Sequence, residues 1–193
     1  NVSVCLASGA LTTTWCQPMV RPAAIEVADL DGDGVGEGIV ARQARQLGAD
    51  FEMRVLSYLP LAHCFERAWV GCTGFVRGTG VMYFAEALET FVQDLQRARP
   101  TVFISVPRLW LKFQLGVFSK MPPAKLDRLL SIPILGRIVA RKVLTGLGLD
   151  HVKQAGSGSA PLPAALLVWY RRLGLNLIEG YAMTEDFAYS HSS

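Results

Sequence analysis

Metal-binding patterns are missing from this 193-residue chain. Its four cysteines, Cys5, Cys16, Cys64 and Cys72, form no C-x-x-C pair, and its three histidines complete no ligand cluster with them, which argues against a zinc site. The same spacing offers no disulfide framework, which favours a reducing compartment. After residue 20 no apolar run of about 18 residues escapes a charge, so no membrane span is expected. Residues 1–20 carry no charge, but Ser, Thr, Asn and Gln interrupt them and no basic region precedes them, so a secretory leader is not expected either. Charge is sparse, at 18% of residues against 51% hydrophobic, which excludes disorder and leaves enough apolar side chain for the core of one domain.

The charge that is there is unevenly placed. Residues 1–53 hold three basic side chains against seven acidic ones, whereas 108–142 hold eight basic against Asp127 alone, within a net charge of +3. The basic block (Arg108, Lys112, Lys120, Lys125, Arg128, Arg137, Arg141, Lys142) suits a phosphate-bearing or membrane-surface partner. Its other reading is a solvated helix face. Asp29–Gly38 (DLDGDGVGEG) begins like an EF-hand loop with Asp29, Asp31, Asp33 and Gly34. Its twelfth position is Val40, where a bidentate acid is required, so a flexible acidic turn is the better reading.

Past residue 40, apolar runs of strand type alternate with helical patterns. Arg54–Tyr58, Thr101–Val106, Val152–Ala155 and Leu175–Glu179 read as strands. Phe84–Arg97, Pro107–Phe118, Ala124–Leu147 (interrupted at Pro133) and Pro163–Leu173 read as helices. Such alternation implies an α/β domain with a largely parallel sheet, in which ligands bind beyond the carboxyl ends of the strands. Two polar, glycine-containing stretches follow strands: Gly156–Pro163 (GSGSAPLP) and Gly180–Asp186 (GYAMTED). A parallel sheet edge there would set them side by side.

Each stretch has a chemical reading and a plainer one. In the second, Thr184 could hydrogen-bond a phosphate oxygen and Glu185 could ligate Mg2+, a hard ion that takes oxygen ligands. Taken alone, the same residues read as a helix N-cap followed by acids that the helix dipole favours. In the first, the glycines would allow close backbone approach to a planar or anionic ligand. Taken alone, it reads as a strand-to-helix turn with Pro161 or Pro163 starting the helix.

Taken together, LSYLPLAHCFER (Leu56–Arg67), RPTVFISVPRLW (Arg99–Trp110), GSGSAPLP and EGYAMTEDFAYSH (Glu179–His191) resemble, in order and spacing, the AMP-forming long-chain fatty acid–CoA ligases of the adenylate-forming, AMP-binding superfamily. The resemblance implies that residues 40–193 are part of the large N-terminal domain of such an enzyme, an α/β fold of mostly parallel sheet with flanking helices, cut short at its C-terminal end. Residues 1–39 are an unmatched Gly/Asp-containing segment. It implies a two-step reaction in which a long-chain fatty carboxylate attacks Mg-ATP to give acyl-adenylate, and coenzyme A then displaces AMP. It assigns Gly158, Ser159, Ala160, Pro161, Glu179, Gly180, Tyr181 and Thr184 to the nucleotide, with Tyr181 against adenine. Glu185 and Thr184 would serve Mg2+, and His63 would stand beside the acyl carboxylate. A satisfied core histidine beside Cys64 and Phe65 is the alternative for His63. The implied setting is cytoplasmic, peripheral on a membrane, with no nucleic-acid partner.

Two departures accompany the resemblance. Ala182 stands where the family's Tyr-Gly-x-Thr-Glu pattern has glycine, so a methyl group could crowd the nucleotide. The family's phosphate loop ends in Pro-Lys-Gly upstream of the LSYLPL strand, yet no lysine precedes Lys112. The ribose-binding Asp and the C-terminal catalytic Lys of the family also have no counterpart. The chain alone is therefore expected to be inactive, and a catalytically incomplete fragment or pseudoenzyme that binds acyl or nucleotide ligands at most remains the alternative function.

Overall fold

The computed structural model describes residues 2–6, 17–19, 52–60, 62–63, 65–72, 80–181 and 191–192. Among them run β1 (Val2–Leu6), β2 (Gln17–Met19), β3 (Arg54–Ser57), a π-helical segment (Glu66–Cys72) and β4 (Gly80–Phe84). Then come α1 (Phe91–Ala98), β5 (Val102–Ser105), α2 (Pro107–Lys120), α3 (Pro123–Leu130), α4 (Pro133–Leu147), β6 (Gln154–Ser157), α5 (Ala164–Arg172), β7 (Leu177–Tyr181) and β8 (His191–Ser192). The acidic turn at 29–38 and the expectations for Ala182, Thr184 and Glu185 lie outside the described residues.

The strands form two four-stranded sheets, ordered β2-β1-β4-β3 and β5-β6-β7-β8. In the first, β4 pairs parallel with both β1 and β3, and β2 is antiparallel to β1. In the second, β5, β6 and β7 are parallel and β8 is antiparallel. Thr101 links the two sheets. Its N–H donates to the Arg54 carbonyl at 2.9 Å, its hydroxyl accepts the Arg54 N–H at 2.8 Å, and that hydroxyl donates to the Glu52 carbonyl at 2.8 Å. A short β-branched hydroxyl residue fits there because it satisfies three backbone groups between two strand starts.

Proline at the first turn opens α2, α3 and α4, where a missing N–H costs nothing. Two glycines permit close backbone approach. A Cβ on Gly136 would sit 2.6 Å from the Leu130 carbonyl oxygen, so glycine lets α3 and α4 turn back on each other. Gly148 caps α4 with φ 75°, and a Cβ there would lie 2.5 Å from the Leu95 carbonyl carbon of α1.

The helix expected at Phe84–Arg97 begins only at Phe91, and Gly80–Phe84 is strand β4. Asp94 explains the late start. Its buried carboxylate accepts the Glu86 N–H at 3.1 Å and the Thr90 hydroxyl at 2.9 Å, which gathers residues 86–90 into turns ahead of the helix. Leu88, counted in the apolar stripe of that longer helix, is consequently 73% exposed, while Phe91, Leu95 and Ala98 face the core. The core itself is an aromatic run. Phe103, Trp110 and Tyr170 are buried, with ring centroids 5.3 Å apart for Phe103–Trp110 and 4.9 Å for Trp110–Tyr170.

Candidate nucleotide-binding site

Parallel pairing sets the carboxyl ends of β5, β6 and β7 in one row. Ser105 is opposite Ser157, and Ser157 is opposite Glu179. The chain leaving β6 is then held at two points. The Gly158 N–H donates to the Ser105 carbonyl at 3.2 Å, and the Leu162 N–H donates to the Glu179 carboxylate at 3.0 Å. Between them Ser159 adopts φ 70°, a left-handed conformation that costs a non-glycine residue about 1 kcal/mol. Gly158 is so close to β7 that a Cβ on it would lie 3.5 Å from the Gly180 carbonyl oxygen.

Of the two stretches expected to lie side by side, the first meets the described start of the second, Gly180 and Tyr181, which continue strand β7; the rest of the second lies outside the described residues. Gly158, Ser159, Ala160 and Pro161 flank Glu179, Gly180 and Tyr181, with Ser159, Ala160, Pro161 and Tyr181 exposed. The Ser157 hydroxyl beneath them is buried and has no hydrogen-bond partner among the described residues. Trp110 supports the row from behind by donating its indole N–H to the Gly156 carbonyl at 3.1 Å. Tyr170 in turn donates its hydroxyl to the Trp110 carbonyl at 2.7 Å.

A second cluster stands at the end of β3. The Tyr58 hydroxyl donates to the Ser105 hydroxyl at 2.8 Å, which joins this cluster to the row of strand ends. Burial pushes the Tyr58 phenol up to about 12; the Ser105 hydrogen bond opposes that rise and the nearby Glu66 charge adds to it. Glu66, in the π-helical segment, is fully buried, and among the described residues no donor meets strict hydrogen-bond geometry with its carboxylate oxygens. Burial raises its pKa. The Ser57 hydroxyl, the Tyr58 and Leu59 N–H groups and His63 lie near enough to oppose that rise only in part. His63 is exposed and accepts the Phe65 N–H on Nδ1 at 3.3 Å, so it is not a core histidine.

Tyr58, Glu66, Ser105 and Trp110 were not singled out from the sequence, although all four lie within or beside the motifs that were. Nothing in a motif distinguishes a buried acid from an exposed one. Among the described residues no group of three His, Cys, Asp or Glu side chains could hold a metal. No helix among them is long and apolar enough to cross a membrane.

Exposed residues at the ends of parallel strands, Ser159 and the exposed Tyr181 among them, suit a planar ligand that carries phosphate. The family assignment agrees: the chain belongs to the AMP-binding enzyme family, whose profile matches residues 37–191. More particularly, it is 35% identical over 156 residues to the peroxisomal acyl-CoA ligase 891 of Penicillium brevicompactum, covering 68% of this chain and 22% of that protein. It is 32% identical over 152 residues to long-chain-fatty-acid–CoA ligase 1 of Homo sapiens, covering 68% of this chain and 21% of that one. The chain thus spans about a fifth of the length of the curated relatives it matches. Among solved structures, the A-PCP didomain of a carboxylic acid reductase from Segniliparus rugosus, in complex with AMP, superposes with a TM-score of 0.57 at 25% identity. That superposition covers 77% of this chain and 20% of the reductase chain. The α/β fold with parallel strands and flanking helices is the one that this superposition matches.

Proposed function

We propose that these residues form part of an enzyme that activates a long-chain fatty acid with ATP, first to acyl-adenylate and then to acyl-CoA. The observation that carries the reading is the β6–β7 pair, which brings Gly158–Pro161 against Glu179–Tyr181 in a chain of the AMP-binding family. In this reading the exposed Tyr181 ring lies against adenine, and Gly180 leaves it room. Gly158, Ser159, Ala160 and Pro161 wall the nucleotide from the acyl group, and Glu179 holds that wall through Leu162. The surface position of His63 suits a place beside the acyl carboxylate. Thr184 and Glu185 offer hydroxyl and carboxylate oxygens, the donor chemistry a hard ion such as Mg2+ takes. When bound, Mg2+ would neutralise charge that gathers on the phosphate oxygens. The long-chain preference rests on the named relatives.

One sequence feature favours a second reading, that of a catalytically incomplete protein which binds acyl or nucleotide ligands without turning them over. No lysine precedes Lys112, where a phosphate loop ending in Pro-Lys-Gly is expected. An ATP–pyrophosphate exchange assay on the full-length protein with palmitate separates the two. Palmitate-dependent exchange, reduced tens-fold by Glu185→Gln at limiting Mg2+, is the expected result. Retained AMP binding without exchange would select the second reading.

A further inference from the structure

Of the eleven large apolar side chains that stand exposed among the described residues, four fall within one short stretch: Ile132, Ile134, Leu135 and Ile138. Ile134 is 78% and Ile138 60% exposed. Helical geometry explains the arrangement. α4 buries Gly136, Ala140, Leu144 and Leu147 on one face, so Ile134, Ile138, Arg141 and Lys142 point the opposite way, with Arg137 at their side. Helix α3, joined through the tight turn at Gly136, adds Lys125 and Arg128, both exposed.

The charges on this surface are of one sign. Among the described residues none of Lys125, Arg128, Arg137, Arg141 and Lys142 forms an ion pair. The only acid between residues 108 and 142, Asp127, is held by Arg172 at 2.6 Å. On α1, which packs against the other end of α4, Asp94 is buried and paired with Arg97. An isoleucine strip edged by unpaired cations with no acid among them needs a partner that takes both at once. A nucleic acid would meet the cations and leave the isoleucines in water. An anionic bilayer meets both: apolar side chains enter the boundary between headgroups and acyl chains, and Lys and Arg meet the headgroup charge.

We infer that the outward face of α4, together with the α3–α4 turn, docks on an anionic lipid surface. The inference stands on this face alone and does not depend on the catalytic reading. It is tested by co-sedimentation of the full-length protein with phosphatidylcholine vesicles, with and without phosphatidylserine, at low and high salt. Two variants address the two halves of the surface separately: Arg137→Gln/Arg141→Gln/Lys142→Gln, and Ile134→Ser/Ile138→Ser. All five side chains are exposed, so both variants are expected to keep the parent's thermal midpoint.

Binding to phosphatidylserine vesicles is expected to weaken on the order of a hundredfold in the triple variant at low salt, about fivefold for each cation near the surface. The isoleucine variant is expected to lose binding at low and high salt alike, because its contribution is not screened. Equal binding to neutral and anionic vesicles, no binding to either, or variants that bind like the parent would each overturn the inference. So would tight RNA binding, indifferent to the isoleucine changes, in a protein that ignores vesicles.

Discussion

Replacing Trp110 with Phe tests how the loop after β6 is held from behind. The indole is fully buried, and the substitution removes two things. One is the N–H donated to the Gly156 carbonyl at 3.1 Å, a bond with a net contribution of about 1 kcal/mol. The other is one ring of an indole that meets Phe103 and Tyr170 edge-on at centroid distances of 5.3 and 4.9 Å. Its loss leaves a cavity that costs about 1–2 kcal/mol, with up to another kcal/mol in aromatic contact. The expected destabilisation is therefore about 2–4 kcal/mol, large against the 5–15 kcal/mol that holds a typical domain folded. Urea unfolding followed by far-UV circular dichroism would read it as a lower midpoint at unchanged slope. AMP affinity should fall as well, because Gly156 leads directly into Gly158–Pro161. Tyr170→Phe is the internal control. It keeps the ring, removes only the 2.7 Å bond to the Trp110 carbonyl, and should cost about 1 kcal/mol. A Trp110→Phe protein within about 0.5 kcal/mol of the parent, with AMP binding unchanged, would refute the argument that this indole supports the strand end.

Ser159→Gly should stabilise the fold by about 0.5 kcal/mol, the relief of its left-handed backbone less the added freedom of glycine in the unfolded chain. Loss of stability on chemical denaturation would contradict that. Glu66 supplies a pH test. Burial raises its folded-state pKa above the unfolded value, so the stability this group contributes is fully present below the ordinary carboxylate range. That contribution is lost as pH rises through the raised pKa. Glu66→Gln stays neutral throughout, so its thermal midpoint should exceed the parent's near neutral pH, with the gap closing toward acid. A gap that is constant or widens in acid would reject a charged, buried Glu66.

Much of the α/β framework is legible in the sequence because its cues are local. The strands near residues 54, 101, 152 and 175 are short apolar runs, and the helices are punctuated by Pro107, Pro123 and Pro133, so periodicity and proline chemistry place them to within a few residues. The neighbourhood of the Gly156–Pro163 stretch and the strand end at Glu179–Tyr181 followed from the parallel pairing rule alone. The late start of α1 was hidden because Phe84, Leu88, Phe91 and Leu95 satisfy helical spacing. Only the capture of Thr90 and Glu86 by the Asp94 carboxylate, a feature of the folded chain, decides against that longer helix. The Trp110–Gly156 bond joins residues 46 apart in sequence, and the burial of Glu66 depends on what packs around the π-helical segment. Neither has a local signature. For His63 the alternatives were a place beside the acyl carboxylate and a satisfied core position, and its exposure tells against the second.

The contact at Gly148 limits how this chain can change length. With α4 capped against the backbone of Leu95 and Gln96, even a single methyl group there meets main chain, and neither partner can yield like a side chain. An added residue at that end would turn α4 by about 100° and aim its outward isoleucines somewhere else. The join between α2 and α3 has no glycine held against main chain: it runs through Met121, whose backbone is extended, and the exposed Pro122. Insertions and deletions in this part of the molecule should therefore accumulate before Pro123 and be purged at Gly148, a difference that a survey of natural length variants, or a library of single-residue insertions scored for folding, would display directly.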